Sequence, residues 1–172
     1  MRIRDSTSTA PNGIFMRAGN ASTNYTMYLT GTDENNKHLL VRGDGCVTKP
    51  KQPLAIIGVT ENNHTPGAGN VIEFDYVDTN RGNHYDTTNH CFECPVEGDY
   101  MVMFNHARTG WVGDIALEKA ASGAGYSVIR RLEMRENGRN NNGNADWQAG
   151  SYSYIIPCSS GDKLRWKKSE SE

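Results

Sequence analysis

Cys91 and Cys94 have the C-x-x-C spacing that occurs in zinc knuckles and in thiol redox motifs. A zinc knuckle needs a second pair of ligands, which Cys158 alone does not supply. A redox motif favours a helix N-terminus, whereas Pro95 and the pattern around it indicate a strand. Residues three positions apart on a strand point to opposite faces, so the two sulfurs would not meet at one ion. We therefore predict buried thiols that act as small apolar side chains.

Three histidines, His84, His90 and His106, lie close to this motif in the sequence. Together with a carboxylate they could form the metal site of a cupin-like jelly-roll enzyme, because imidazole and carboxylate are common metal ligands. The sequence contains no Gly-x-Ser-x-Gly elbow, no His-Glu-x-x-His and no phosphate-binding glycine loop. We predict a non-enzymatic protein without catalytic residues or a cofactor, and the metal-dependent enzyme stays open as an alternative.

Two further features could bind a ligand. Asp75 and Asp78 are weak candidates for calcium, which prefers oxygen ligands, and the alternative is a solvated strand edge. The polar run at 137–144 resembles a loop at the apex of a sandwich, where recognition often occurs, or else it is an unselective hydrated loop. The candidate binding residues in this loop are Asn137, Arg139, Asn141 and Asn144.

Composition and charge exclude several classes of protein. The chain has 172 residues, 36% of them hydrophobic, and its 18 basic and 20 acidic side chains give a net charge of −2. This balance argues against nucleic acid or an anionic membrane as the main partner. No apolar run could span a bilayer, and the N-terminal residues lack the pattern of a secretory signal. We therefore expect the four cysteines (Cys46, Cys91, Cys94 and Cys158) to be free thiols rather than a disulfide framework.

Most of the chain has the period-two pattern of half-buried strands. At 71–76 the apolar residues alternate with Glu73 and Asp75, and at 98–106 Tyr100, Val102 and Phe104 alternate with polar residues and methionines. Further strands are predicted at 114–119, 126–134, 148–156 and 163–168. Short strands that are separated by Gly and Asn, with no helical periodicity, predict an all-β antiparallel sandwich or jelly roll.

The N-terminal part has a different character. Three short strand-like runs at 14–16, 25–30 and 38–41 are separated by Gly-rich and Asn-rich turns, and Pro50 and Pro53 bound a stiff connector. We predict a β-rich segment at 1–49, a linker at 50–53 and a jelly-roll head at 54–172. A segment of this size with few large apolar residues cannot form a stable core alone. It would pack on the head or intertwine with copies of itself.

One stretch of the head carries a family resemblance. It contains a V-I-x-F-D motif, then N-x-G-x-x-Y-D, then F-x-C-P-x-x-G-x-Y-x-x-x-F, and a closing G-D-x-L-x-W at 161–166. About residues 53–168 resemble the globular head of the complement C1q family, which is related to the tumour necrosis factor ligands, although 110–151 departs from the pattern. The resemblance implies a ten-stranded jelly roll that forms a homotrimer. Aromatic candidates for the trimer contact are Tyr76, Tyr85, Tyr100 and Phe104.

A second resemblance lies at 28–53, which ends in a T-x-P-x-Q-P connector. This stretch is similar to bacteriophage fibre and virion appendage proteins that lead into a C1q-like head. The implied function is that of a phage virion structural protein, as a trimeric capsid decoration or a fibre head. Its partners would be further copies of itself, major capsid or tail proteins, and a glycan or protein of the host surface. The implied location is the virion, assembled in the host cytoplasm, and the alternative is a secreted signalling ligand.

Overall fold

The computed structural model describes residues 3–4, 13–14, 19–30, 37–60, 66–109, 114–132 and 147–169. These residues form strands, turns and loops but no helix, and hence no helix that could span a membrane. The predicted all-β class is confirmed. The chain divides into two compact units, Met1–Gln52 and Pro53–Glu172. The attachment, linker and head roles assigned to 1–49, 50–53 and 54–172 remain predictions.

The N-terminal unit consists of short antiparallel strands. A two-stranded ladder joins β1 (Ile3–Arg4) to β2 (Gly13–Ile14), and a three-stranded sheet has the order β3 (Tyr25–Thr30), β4 (Lys37–Arg42), β5 (Val47–Thr48). The reversal between β4 and β5 is a turn in which Gly45 has a φ of 89°, a backbone conformation that favours glycine. The strands pair through their main chains, and this turn reverses the chain between β4 and β5.

The C-terminal unit has a five-stranded antiparallel sheet as one layer. Its order is β12 (Ser127–Leu132), β11 (Ile115–Ala120), β14 (Lys163–Lys168), β9 (Cys91–Glu93), β8 (Tyr85–Asp86). Two separate antiparallel ribbons complete the unit, one of β10 (Gly98–Thr109) with β13 (Trp147–Cys158), the other of β6 (Leu54–Gly58) with β7 (Tyr76–Arg81). The pairing of β11 with β14 joins residues that are distant in sequence, as expected for a jelly roll.

The core lies between the five-stranded sheet and the β10–β13 ribbon. Phe104 of β10 packs on Trp166 of β14 with 4.8 Å between the ring centroids. The predicted alternation of β10 is confirmed, because Tyr100, Val102 and Phe104 turn toward the core and the intervening residues are exposed. The buried members of the core cluster are Ile72, Cys94, Phe104, Ile115, Leu117, Leu132, Ile156, Cys158, Leu164 and Trp166.

The strand predicted at 71–76 is wrong. Val71 makes only an isolated bridge to Lys167, and the regular strand β7 begins at Tyr76. The N–H of Ile72 donates to the Trp166 carbonyl at 2.8 Å, so β14 takes the backbone bonding of this segment. As a result Ile72 is buried whereas Tyr76 is half exposed, and the two side chains do not share one face as their spacing predicted.

The mixed pattern at 126–134 has a physical cause in the β11–β12 ladder. Leu117 pairs with Arg130 and Glu118 pairs with Val128, so a register shift leaves Ile129 without a partner residue on β11. A bulge of this kind changes which side chains face the core partway along the strand. The apolar alternation that the other strands show is therefore interrupted here.

Candidate functional site

The outward side of the β10–β13 ribbon carries three large apolar side chains in one row. Met101 is 68% exposed, Met103 is 55% exposed and Ile155 is 58% exposed. Met101 and Ile155 are direct partners in the ladder, and Met103 is two residues along the same strand. Side chains in these positions are neighbours on one sheet face. We call Met101, Met103 and Ile155 the apolar face.

A second exposed apolar row lies on the β6–β7 ribbon. Leu54 and Ile56 of β6 and Tyr76 of β7 are exposed. Tyr76 pairs with Gly58, and its ring covers the place where a side chain at Gly58 would stand, at 3.6 Å from an added Cβ. Leu54 and Ile56 alternate with more buried residues, as expected for a strand with one covered side.

The ribbons also have open edges. Among the described residues, β10 and β13 pair only with each other, and so do β6 and β7. Proteins ordinarily shield long strand edges and large exposed apolar surfaces, because both promote association. Single exposed apolar residues are ordinary, but a row of them on a 12-residue strand with an open edge is typical of an association surface.

The aromatic residues predicted at the trimer contact fall into three environments. Tyr85 and Phe104 are buried in the chain's own core, so they present little surface to another chain. Burial raises the pKa of Tyr85, whose hydroxyl donates to the Phe74 carbonyl at 3.3 Å. Tyr100 is half-buried and donates its hydroxyl to the Val96 carbonyl at 2.8 Å. Of the four, Tyr76 is the one with half of its surface exposed.

The sequence reading missed the residues of the apolar face. The signal was present, because Met101 and Met103 alternate with the aromatics of β10. Both sides of this strand contain large apolar residues. The alternation therefore shows which residues share a side, but it does not show which side packs against the core. Methionine is enriched at protein interfaces, and its position opposite the aromatic side could have indicated the exposed surface.

The outer side of the five-stranded sheet differs from the apolar face because it is ionic. Glu118 is buried on β11, where it accepts a hydrogen bond from Arg165 Nε at 2.8 Å and lies 3.6 Å from Lys167 Nζ. The Arg165 guanidinium also lies 3.5 Å from the ring centroid of Tyr126. Burial, together with the neighbouring Cys91 thiol, raises the pKa of Tyr126 to about 12. The buried carboxylate of Glu118 therefore has its charge compensated within one chain.

The structure separates the two cysteines of the C-x-x-C motif. Cys91 is buried beside Tyr126, whereas Cys94 is buried in the core beside Cys158. Both have the predicted role of small buried side chains. All four cysteines are free thiols, and Cys46 is the exposed one.

The residues proposed for metal binding have other contacts. His84 packs edge-on against Phe92, and His106 stacks on Tyr152 with an interplanar angle of 13°. His90 lies in a turn with a φ of 50°. In the part of the chain that the structure describes, no group of three His, Cys, Asp or Glu side chains could hold a metal ion. The donor set that the cupin-like alternative requires is therefore not found among these residues.

The remaining predicted binding residues are the two calcium candidates and the four loop residues. Asp75 accepts hydrogen bonds from the Thr60 N–H at 2.8 Å and the Thr60 hydroxyl at 2.5 Å, and Asp78 accepts one from Thr79 at 3.2 Å. Asp75, directly before β7, is therefore bonded to Thr60, two residues after the end of β6. The loop candidates Asn137, Arg139, Asn141 and Asn144 lie outside the described residues.

Comparison with protein families gives one match, in which the family model described as the C1q domain covers residues 56–144. This range begins within β6 and includes β7 to β12. A search of curated proteins found no match.

Proposed function

Because the chain belongs to the C1q domain family, we propose that it is a non-enzymatic structural protein that acts as a homotrimer in a virus particle. C1q domains are generally non-enzymatic and typically self-associate into trimers. The finer statements, that this chain is a trimer and that it belongs to a phage virion, are ours. The observation that carries the proposal of self-association is the apolar face of Met101, Met103 and Ile155.

Association would remove the apolar face from water. Removing apolar surface from water is favourable by about 25 cal/mol per Å². Three copies around one axis can each place the same surface against a neighbour, and cyclic closure leaves no copy with an uncovered side. The ionic outer side of the five-stranded sheet has no such reason to associate, since Glu118 already has its partners, Arg165 and Lys167. We therefore place the β10–β13 ribbon toward the neighbouring subunits.

Self-association is tested by Met101→Asp, with Val128→Asp as the matched control on the exposed edge strand β12. A carboxylate on the apolar face would be buried without a partner, so Met101→Asp should shift the protein from trimer to monomer in size-exclusion chromatography with light scattering. Val128→Asp should remain a trimer. If Met101→Asp stays a trimer with wild-type mass, the apolar face is not the contact.

The virion proposal rests on the N-terminal unit. Its described strands are short, and Leu29 and Val47 are largely exposed, so it gains from winding with copies of itself or from packing on another particle protein. Its partners would be major capsid or tail proteins, and the head would contact a host glycan or protein. Three equivalent heads on one axis would strengthen weak contacts by avidity. In this proposal the chain acts as a capsid decoration or as the head of a fibre.

Antibody labelling of particles purified from the source tests the virion proposal. Gold label on the particles at positions with threefold symmetry is the expected result. The family match is equally consistent with a secreted C1q-like or tumour necrosis factor-like ligand. Unlabelled particles, together with trimer in the surrounding medium, would overturn the virion proposal in favour of that ligand.

A further inference from the structure

Two buried cysteines of the C-terminal unit are neighbours although they are distant in sequence. Cys94 follows β9, and Cys158 is the last residue of β13. Both belong to the buried core cluster. Each thiol affects the pKa of the other, so the two side chains are neighbours within this cluster.

The backbone around the pair holds it in place. The N–H of Cys94 donates to the Asp162 carbonyl at 2.8 Å, and the Cys94 carbonyl accepts from the N–H of Gly161 at 2.7 Å. Gly161 and Asp162 belong to the turn that follows Cys158 directly, and Cys158 is itself in register with Gly98 of β10. Because the Cys94 backbone is bonded to the turn that follows Cys158, the two residues are held close to each other.

The electrostatic surroundings distinguish the two thiols. Lys119 Nζ donates to the Pro157 carbonyl at 2.9 Å and lies 2.8 Å from the Asp162 carboxylate, so a cation stands beside Cys158. Burial raises the pKa of both thiols. The charge of Lys119 lowers the pKa of both thiols in part, whereas the interaction between the two thiols lowers the pKa of Cys158 and raises that of Cys94. The interaction between the two thiols therefore favours loss of the proton from Cys158.

We propose that Cys94 and Cys158 are the site of a disulfide crosslink that forms by exchange with a small-molecule disulfide such as oxidised glutathione. The Cys158 thiolate attacks one sulfur of the small disulfide, whose S–S bond breaks and releases a thiolate that takes up the proton lost by Cys158. The Cys94 sulfur then attacks the Cys158 sulfur of the mixed disulfide, loses its proton and releases the second small thiol. The two protein thiols lose two electrons, which the small disulfide gains.

The crosslink would fasten the two layers of the sandwich together. It joins the end of β9, in the five-stranded sheet, to the end of β13, in the ribbon that carries the apolar face. A bond between residues so far apart in sequence restricts the unfolded chain, which favours the folded state. Because both thiols are buried, exchange with the folded protein requires local opening, and oxidation during folding is faster.

The test uses the full chain with Cys46→Ser, which removes the exposed thiol. The protein is refolded once with oxidised glutathione and once with a reductant, and crosslinked peptides are mapped by mass spectrometry under non-reducing conditions. The expected product contains a Cys94–Cys158 crosslink. Its thermal midpoint should exceed that of the reduced form by roughly 5 to 15 °C.

Two variants in the same background separate this crosslink from general thiol oxidation. Cys91→Ser changes a cysteine that is equally buried, and it should keep both the crosslink and the increase in midpoint. Cys94→Ser should lose both. A map dominated by a Cys91–Cys94 pair, no crosslink between Cys94 and Cys158, or a crosslink without an increase in midpoint would each overturn the proposal. If Cys94→Ser does not fold, the peptide map of the parent protein decides alone.

Discussion

The two units of the chain are built from strands of similar composition but differ in what covers them. In the C-terminal unit, β11 is buried on both sides, with Leu117 in the core and Glu118 under its ion-pair partners. Among the residues of the N-terminal unit whose side-chain burial is described (19–27, 29–30 and 38–52), no hydrophobic side chain is buried, and Tyr25, Leu29 and Val47 are exposed. Main-chain pairing therefore forms sheets in both units. In the part of the chain whose side chains are described, the C-terminal unit is the one with the apolar burial that makes a sheet stable by itself.

The largest expected effect comes from dividing the chain between Gln52 and Pro53. Residues 53–172 should unfold in one cooperative transition, because their described part contains the whole buried core. Residues 1–52 alone should lack a cooperative transition. Circular dichroism during thermal unfolding of the two fragments measures both, and a sharp transition in the isolated N-terminal fragment would contradict the comparison.

A leucine truncation in each unit sharpens the contrast. Leu117→Ala removes a fully buried side chain and should lower the free energy of unfolding by about 2–5 kcal/mol. Leu29→Ala removes an exposed side chain and should change it by less than about 0.5 kcal/mol. Denaturant titration of the full chain measures the two changes. A cost for Leu29→Ala close to that of Leu117→Ala would contradict this prediction for the single chain and would select winding with copies of itself from the two arrangements proposed for the N-terminal unit.

A substitution on the ionic side of the five-stranded sheet should have a smaller effect on stability. Glu118→Gln removes the charge that compensates Arg165 and Lys167, which are themselves only partly buried, and should cost about 1–3 kcal/mol. Glu93→Gln is the matched control, because Glu93 lies 3.6 Å from Lys163 and is half exposed, and surface pairs contribute about 0–1 kcal/mol. Equal midpoints for the two variants would show that the burial of Glu118 has no energetic weight.

The smallest expected effect is a pH dependence of the Lys119–Asp162 pair. The hydrogen bond from Lys119 lowers the pKa of Asp162 below 3.8, and the same bond raises the pKa of Lys119 above 10.5. The contribution of Asp162 to stability is thus present above pH 3.8 and is lost as the pH falls through its lowered pKa. That of Lys119 is present below pH 10.5 and is lost as the pH rises through its raised pKa.

The measurement compares wild type with Asp162→Asn by denaturant titration from pH 2 to pH 9. The stability difference should be constant between pH 5 and pH 9 and should shrink below pH 3.8. Glu97→Gln, which changes an exposed carboxylate, controls for the loss of one negative charge. A difference between wild type and Asp162→Asn that grows toward acid pH would have the wrong sign for this pair.

Local pattern predicted much of the fold but could not predict what each strand packs against. The strand at 163–168 was predicted with the bounds that it has, because its apolar residues Leu164 and Trp166 alternate with cations. The segment 71–76 was misread since its partner is β14, far away in sequence. The ionic contact of Glu118 with Arg165 likewise joins residues that are 47 positions apart. Long-range pairing of this kind leaves no local signal.

The candidate site illustrates the same limit on a single strand. Alternation in β10 correctly grouped Tyr100 with Phe104, and it placed Met101 and Met103 on the other side. Choosing the aromatic side as the contact with another chain required knowing which side the protein covers itself. Phe104 packs on Trp166, so the covered side is the aromatic one, and the methionines remain exposed.

Sedimentation equilibrium of the wild-type chain, over a range of dilutions at neutral pH, measures directly whether copies of the chain cover the apolar face. A homotrimer would give a single species with three times the 19.0 kDa mass of the chain, which is the expected result. A species of 19.0 kDa that stays monodisperse and folded at every concentration, with Met101, Met103 and Ile155 still facing water, would contradict it.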